Sequence, residues 1–346
     1  MPEPSSSPFA GFDAWVRSNP WHPRIVPFFC WIAFMTLGSF LPEPLDPLQP
    51  FLYTAQCVAT VWLLWHYRGL LPEMNLRFHW LAVPTGVGLL VAWVMLGYAM
   101  GGELGWRWDQ LTSGAWRDAF GPFPYAELGR TPNRFGPDLD AAGQLEPHPI
   151  QQRIADTPAL GYASLALRLV GMALIVPVFE ELFIRSAMLR GLQRPGPTLT
   201  GLLQFATDLP LVGEPLSQTA AGKRALDAPP AVTKQLTETP VGAAALFGVI
   251  ASTIVFTASH QPRDWPGCFA CGLVWCWLVW ITNKPRPRKH NNETWRSVNG
   301  LPEDAPAQRF ISGGGRLGLG PVAWSHGITN ALLWAYTVTL NDWRFL

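Results

Sequence analysis

The chain has 346 residues, of which 49% are hydrophobic and only 14% are Asp, Glu, Lys or Arg, against about 25% charged in an ordinary soluble domain. A net charge of +1 supplies no global field to draw in nucleic acid, and no nucleic-acid partner is expected. Thirty-four Pro and thirty-two Gly follow no period and alternate with long apolar runs, which excludes collagen-like and disordered classes and leaves a membrane protein.

Residues 1–24 form a polar, Pro-rich segment without the basic region, short apolar core and small-residue cleavage site of a secretory signal. Three windows free of Asp, Glu, Lys and Arg follow, at 25–42, 47–67 and 78–102, so that 25–102 reads as three N-terminal spans. A polar loop covers 103–156. The apolar stretch 157–192 comes next, interrupted by Arg168, Glu180, Glu181, Arg185 and Arg190. A polar insert at 194–238 leads to charge-free windows at 239–262 and 265–283. A second insert at 283–316, ending in Gly313-Gly314-Gly315, precedes the last window, 317–341. The uninterrupted windows hold 18 to 25 residues each, and a bilayer-crossing helix needs about 20. Backbone polar groups in hydrocarbon must be satisfied within the segment, and strict barrel alternation is absent, so the windows read as helices. The expected fold is an all-α, polytopic transmembrane bundle of about seven spans with long polar loops.

Lys and Arg orient such a bundle. With the N-terminus inside, 17 basic residues fall in inside segments and 7 in outside segments, Arg168 lying within a span. This predicts a multi-pass protein of the cell membrane with a cytoplasmic N-terminus, its cluster Lys284, Arg286, Arg288 and Lys289 facing an anionic leaflet or solvent. Cys30, Cys57, Cys268, Cys271 and Cys276 all fall inside predicted spans, where cysteine behaves as a small hydrophobe. The Cys268-x-x-Cys271 pair has no histidine in its helix, and no disulfide framework is implied.

What remains polar inside the spans carries the chemistry, because an intramembrane charge is costly and is kept for a reason. Glu180 and Glu181 sit mid-way along Val-Pro-Val-Phe-Glu-Glu-Leu-Phe-Ile-Arg. His260 closes Phe256-Thr-Ala-Ser-His260, and His326 opens His326-Gly-Ile-Thr-Asn330. Residues four apart share a helical face. Glu181 and Arg185 are therefore partners, Glu180 points elsewhere, Phe256 walls the His260 pocket, and His326 and Asn330 present two donors to one spot. His260 comes late in its span and His326 early, so a shared site requires irregular or offset helices.

Glu-Glu-x-x-x-Arg, then Phe-x-x-x-His, then His-x-x-x-Asn, in successive apolar regions, resembles the CAAX protease and bacteriocin-processing family of intramembrane glutamic endopeptidases. The resemblance covers roughly 159–340, making 157–346 a CAAX protease-like membrane domain, while the N-terminal spans are similar to the family's exosortase-associated bacterial branch. Ser186 departs from the pattern, standing where Gly is frequent, as do the long inserts between motifs. The resemblance implies peptide-bond hydrolysis without a cofactor, on a peptide or protein substrate that includes membrane-associated or prenylated chains. Glu180 would activate water, His260 would hold that water, His326 and Asn330 would donate to the oxyanion, and Glu181, Arg185 and Phe256 would support them. Three other readings stay open. Glu180, His260 and His326 could form a His₂Glu zinc site. The same residues could cross-link the helices of a non-catalytic scaffold or immunity factor, or relay protons in a transporter.

Overall fold

The computed structural model describes residues 9–40, 48–100, 149–207, 213–260, 264–283 and 317–342, and among these residues all regular structure is helical. The helices are α1 (Ala10–Ser18), α2 (His22–Ser39), α3 (Gln49–His66), α4 (Ala82–Met100), α5 (Pro149–Asp156) and α6, the rod Pro158–Gly191. They continue with α7 (Pro195–Thr207), α8 (Gly213–Gln218), α9 (Ala220–Asp227), α10 (Ala231–Glu238), α11 (Leu246–Ala258), α12 (Trp265–Asn283) and α13 (Gly320–Leu340). Each of the seven sequence windows thus holds one helix. Several of these helices open with Pro23, Pro50, Pro158 or Pro321 in the first turn, where a missing N–H has no intrahelical acceptor to lose.

Among the described residues three helices are long and apolar enough to cross a membrane: Ala82–Ala99, Pro158–Gly191 and Trp265–Asn283. The 18, 18 and 21 residues of α2, α3 and α13 match them in length with less apolar windows. With 13 residues, α11 rises about 20 Å, short of a hydrocarbon core of about 30 Å. The insert 194–238, expected as a loop, contains the four short helices α7 to α10. Most of the 103–156 loop, the basic cluster Lys284 to Lys289 and the glycine run 313–315 lie outside the described residues.

Rod α6 is the axis of the bundle. Its Phe179, Leu182, Ile184 and Leu189 are fully buried. On one side α2 stacks Phe28 on Phe183 at 4.2 Å and sets Trp31 against Phe179 at 5.0 Å between ring centres. On the other side α13 comes so close that a Cβ on Gly327 would collide with the Ala173 carbonyl. Gly86 likewise lets α4 approach the Ser325 carbonyl of α13, and its own carbonyl accepts from Thr329 Oγ1 at 3.1 Å. Small residues at such crossings are how helices pack when lipid removes the hydrophobic drive between them. The outward face of α4 is a stripe of exposed Val83, Val87, Val91, Met95 and Tyr98, the inverse of a water-soluble helix.

A buried polar knot ties the helix ends together. Arg24 grips Glu73 with two hydrogen bonds, Nε to Oε1 at 2.6 Å and Nη2 to Oε2 at 3.0 Å. Ser186 hydrogen-bonds the same carboxylate, and Arg190 approaches it at 3.5 Å while donating to the Thr239 carbonyl at 2.7 Å. Asn283 does similar work nearby. Its amide donates to Gly318 O at 2.9 Å, and its carbonyl accepts from Leu317 N at 3.1 Å, joining the end of α12 to the start of α13.

Candidate functional site

Glu180 and Glu181 occupy a short α-helical stretch of α6 between two widened ones, Gly171–Ile175 and Leu182–Met188, in which N–H groups reach five residues back. Such π-turns bend and rotate a helix and concentrate at functional sites. The first has a local cause. The Val176 N–H goes to Gly171 O instead of Met172 O, and the next candidate donor is Pro177, which has no N–H. The Met172 carbonyl is taken up from another helix, by the Asn330 amide at 2.9 Å.

From α13, His326 reaches between the two glutamates. Its Nδ1 lies 2.9 Å from Glu181 Oε1, and its Nε2 lies 3.9 Å from Glu180 Oε2. Glu181 is completely buried and also faces Arg185 Nε at 3.3 Å, an ion pair held by charge without good hydrogen-bond alignment. As the partner of Arg185, Glu181 is the acceptor in this contact: the His326 Nδ1–H donates to it, and in the neutral imidazole Nε2 presents a lone pair toward Glu180. Glu180 is different. Its side chain is 14% exposed, and its Oε2 is buried with no hydrogen-bond partner.

Aromatic rings form the walls. Trp275 stacks on His326 at 4.1 Å and donates its indole N–H to Ser325 Oγ at 3.2 Å. Phe256 stands edge-on to His260 at 4.6 Å and to His326 at 6.4 Å. The buried Arg185 guanidinium lies 5.1 Å from the Phe256 ring and 5.6 Å from Trp275, a cation–π seat suited to a desolvated charge. His260 Nδ1 lies 2.9 Å from the Phe256 carbonyl, to which it donates, so its Nε2 is left as an acceptor.

Glu180, Glu181, Arg185, Phe256 and His326 are thus in one neighbourhood, with His260 at its edge behind Phe256. Asn330 departs from the reading of two donors aimed at one spot, because one of its N–H groups is committed to Met172 O; an amide has a second. Helix α11 starts only after the turn through Gly242 (φ 88°), and its late residue Phe256 faces both His260 on its own chain segment and His326 in the first turns of α13. Among the described residues no three His, Cys, Asp or Glu side chains gather as a metal-binding group. Sequence reasoning missed Trp275, whose signal is hidden among eighteen tryptophans. It also missed the Glu181–His326 bond, which joins residues 145 positions apart. Comparisons with protein-family models, curated proteins and solved structures found nothing that matches this chain.

Proposed function

We propose that the chain is an intramembrane endopeptidase in which Glu180 activates a water for attack on a peptide carbonyl. One observation carries the reading: of two adjacent glutamates, Glu181 is tied to Arg185 and His326, while Glu180 holds a buried, unpartnered oxygen 3.9 Å from the His326 Nε2 lone pair. Neighbouring carboxylates in contrasting environments are how proteins divide acid–base roles, and a 3.9 Å separation suits a bridging water better than a direct bond. Glu180 takes one proton from the water as its oxygen bonds to the carbonyl carbon, and gives that proton to the leaving nitrogen as the C–N bond breaks. His260 Nε2 steadies the water, and His326, which takes up a solvent proton at Nε2 beforehand and keeps it throughout, donates to the oxyanion with the second N–H of Asn330. The Glu181–Arg185 pair and Trp275 hold the His326 ring for that task. The resemblance to the CAAX protease and bacteriocin-processing family supports the same assignment.

The reading includes a multi-pass arrangement of seven helices in the cell membrane with the N-terminus cytoplasmic. The helix in each charge-free window and the outward apolar stripe of α4 support it. A second reading has its own observation. Glu181, Arg185, His326 and Asn330 all have partners within the protein, as the cross-links of a non-catalytic scaffold would.

The test is cleavage of a peptide library, prenylated members included, by the purified full chain in nanodiscs, beside Glu180→Gln. Because Glu180 Oε2 has no protein partner, the variant should fold and melt like wild type while losing about 10²- to 10⁴-fold in rate. A folded Glu180→Gln protein that keeps its rate removes the general base, and a wild type inactive across the library favours the scaffold.

A further inference from the structure

Away from the glutamate site, α1, α2 and α3 enclose an open groove of about 510 Å³ lined only by apolar side chains, among them Phe12, Trp15, Phe29, Cys30, Ala59 and Trp62. That volume is within the range of small-ligand sites. The floor of the groove is formed by α2 and α3, two of the proposed spans. Its roof is α1, an amphipathic helix nine residues long. Phe9, just before α1, and Phe12 and Trp15 on one edge of it are exposed, whereas Val16 is buried. The polar edge is paired: Asp13 meets Arg17 of the same helix at 2.8 Å and His66 at the end of α3 at 3.1 Å.

From this geometry we infer that the groove holds one acyl chain of a membrane phospholipid, with α1 lying in the interface above it. Three features select that occupant. The lining has no polar side chain to recognise a peptide backbone or a headgroup. The groove opens onto Phe29 and Trp62, both exposed, and these belong to an apolar surface on α2 and α3 that includes Leu37, Phe51, Val58 and Trp65. An acyl chain can therefore enter sideways from the leaflet. Finally, α1 places aromatic rings beside charged groups at one helix end, as interfacial helices do. The inference rests on the membrane placement proposed above and is independent of the peptidase chemistry.

Photolabelling tests it. The full chain is reconstituted in phosphatidylcholine vesicles carrying a diazirine either near the end of one acyl chain or on the headgroup, irradiated, digested and mapped. The acyl probe should label peptides containing Trp15, Cys30 and Trp62 at least fivefold more than the open lipid-facing stripe around Met95, and the headgroup probe should not. Ala59→Trp, which fills the groove, should remove that excess and leave labelling at Met95 unchanged. Should Ala59→Trp fail to fold, Phe12→Ser/Trp15→Ser strips the roof at exposed positions and should also reduce the excess to the Met95 level. Equal labelling of groove and stripe, or an excess that survives in a folded groove variant, overturns the acyl-chain site while leaving the membrane placement intact. Labelling at these peptides that falls to the Met95 level as the protein-to-lipid ratio rises, with a dimer on gel filtration, would assign the groove to a second copy and overturn it too. A chain that does not enter vesicles overturns both.

Discussion

Glu181→Ala, Arg185→Ala and their double variant measure what the buried ion pair contributes. Both side chains are 0% exposed and 3.3 Å apart. Removing one partner of such a pair costs about 3–5 kcal/mol, because the survivor is left charged and unsolvated. The two variants should not be equal. After Glu181→Ala, Arg185 keeps Phe256 and Trp275 and a long contact from Nη2 to Gly272 O at 3.4 Å. Cation–π seating of a desolvated guanidinium is worth about 2 kcal/mol, so this variant belongs at the low end, about 3 kcal/mol. Arg185→Ala leaves Glu181 with His326 alone, and its cost falls in the upper half of the range. The double variant leaves neither charge and should cost less than the two singles added together. Against a total stability of about 5–15 kcal/mol, each single change should lower the melting temperature and the monodisperse yield in detergent, read by tryptophan fluorescence and gel filtration. Two single variants that melt like wild type, or a double equal to their sum, would refute the argument.

Asn330→Ala orphans the Met172 carbonyl and should lower stability by about 1 kcal/mol. If the second N–H serves the oxyanion, kcat should also fall about 10²- to 10³-fold with KM unchanged; an unchanged kcat would confine Asn330 to its helix contact. Glu73→Ala leaves Arg24 and Arg190 facing each other without their shared carboxylate and should cost about 3–5 kcal/mol, seen as loss of folded protein on gel filtration, whereas wild-type yield would mean the knot is dispensable. Peptidase activity should survive exhaustive chelation, with far less than one zinc per chain by elemental analysis; stoichiometric zinc lost on His260→Ala or His326→Ala would turn the assignment to a metalloenzyme.

Composition and charge-free windows made the helices legible, because a segment that excludes charge over some twenty residues has few other ways to satisfy its backbone. Four-residue spacing likewise identified Glu181 with Arg185 and Phe256 with His260, both of which share a face in the structure. Contacts between helices were another matter. The grip of Arg24 on Glu73 spans 49 positions, and the grip of Glu181 on His326 depends on how two helices cross, which no local period records. The helices of 194–238 were hidden for a different reason: α8, α9 and α10 are six to eight residues long, and α7 is an apolar run of 13 residues, too short to read as a span. Packing holds them in place, with Gln235 bonded to Gly191 O at 2.8 Å and Gln204 to Ala225 O at 2.9 Å. Asn330 was misread in part because a carbonyl left over by a proline is invisible to side-chain pattern.

That leftover carbonyl has a consequence for the phase of α6. A π-turn amounts to one extra residue wound into a helix, and each residue advances the helix by about 100°. Everything after the widened turn, Glu180 and Glu181 included, therefore faces about 100° away from where a regular helix continued from α6's first half would point it. Pro177 keeps the turn from relaxing, since it cannot supply the N–H that a tighter winding needs, and Asn330 rewards the irregular form by capping the exposed oxygen. The direction in which the two carboxylates look is thus set by a residue that carries no charge and lies one helical turn away, and an insertion or deletion within 171–177 would re-aim both without altering either.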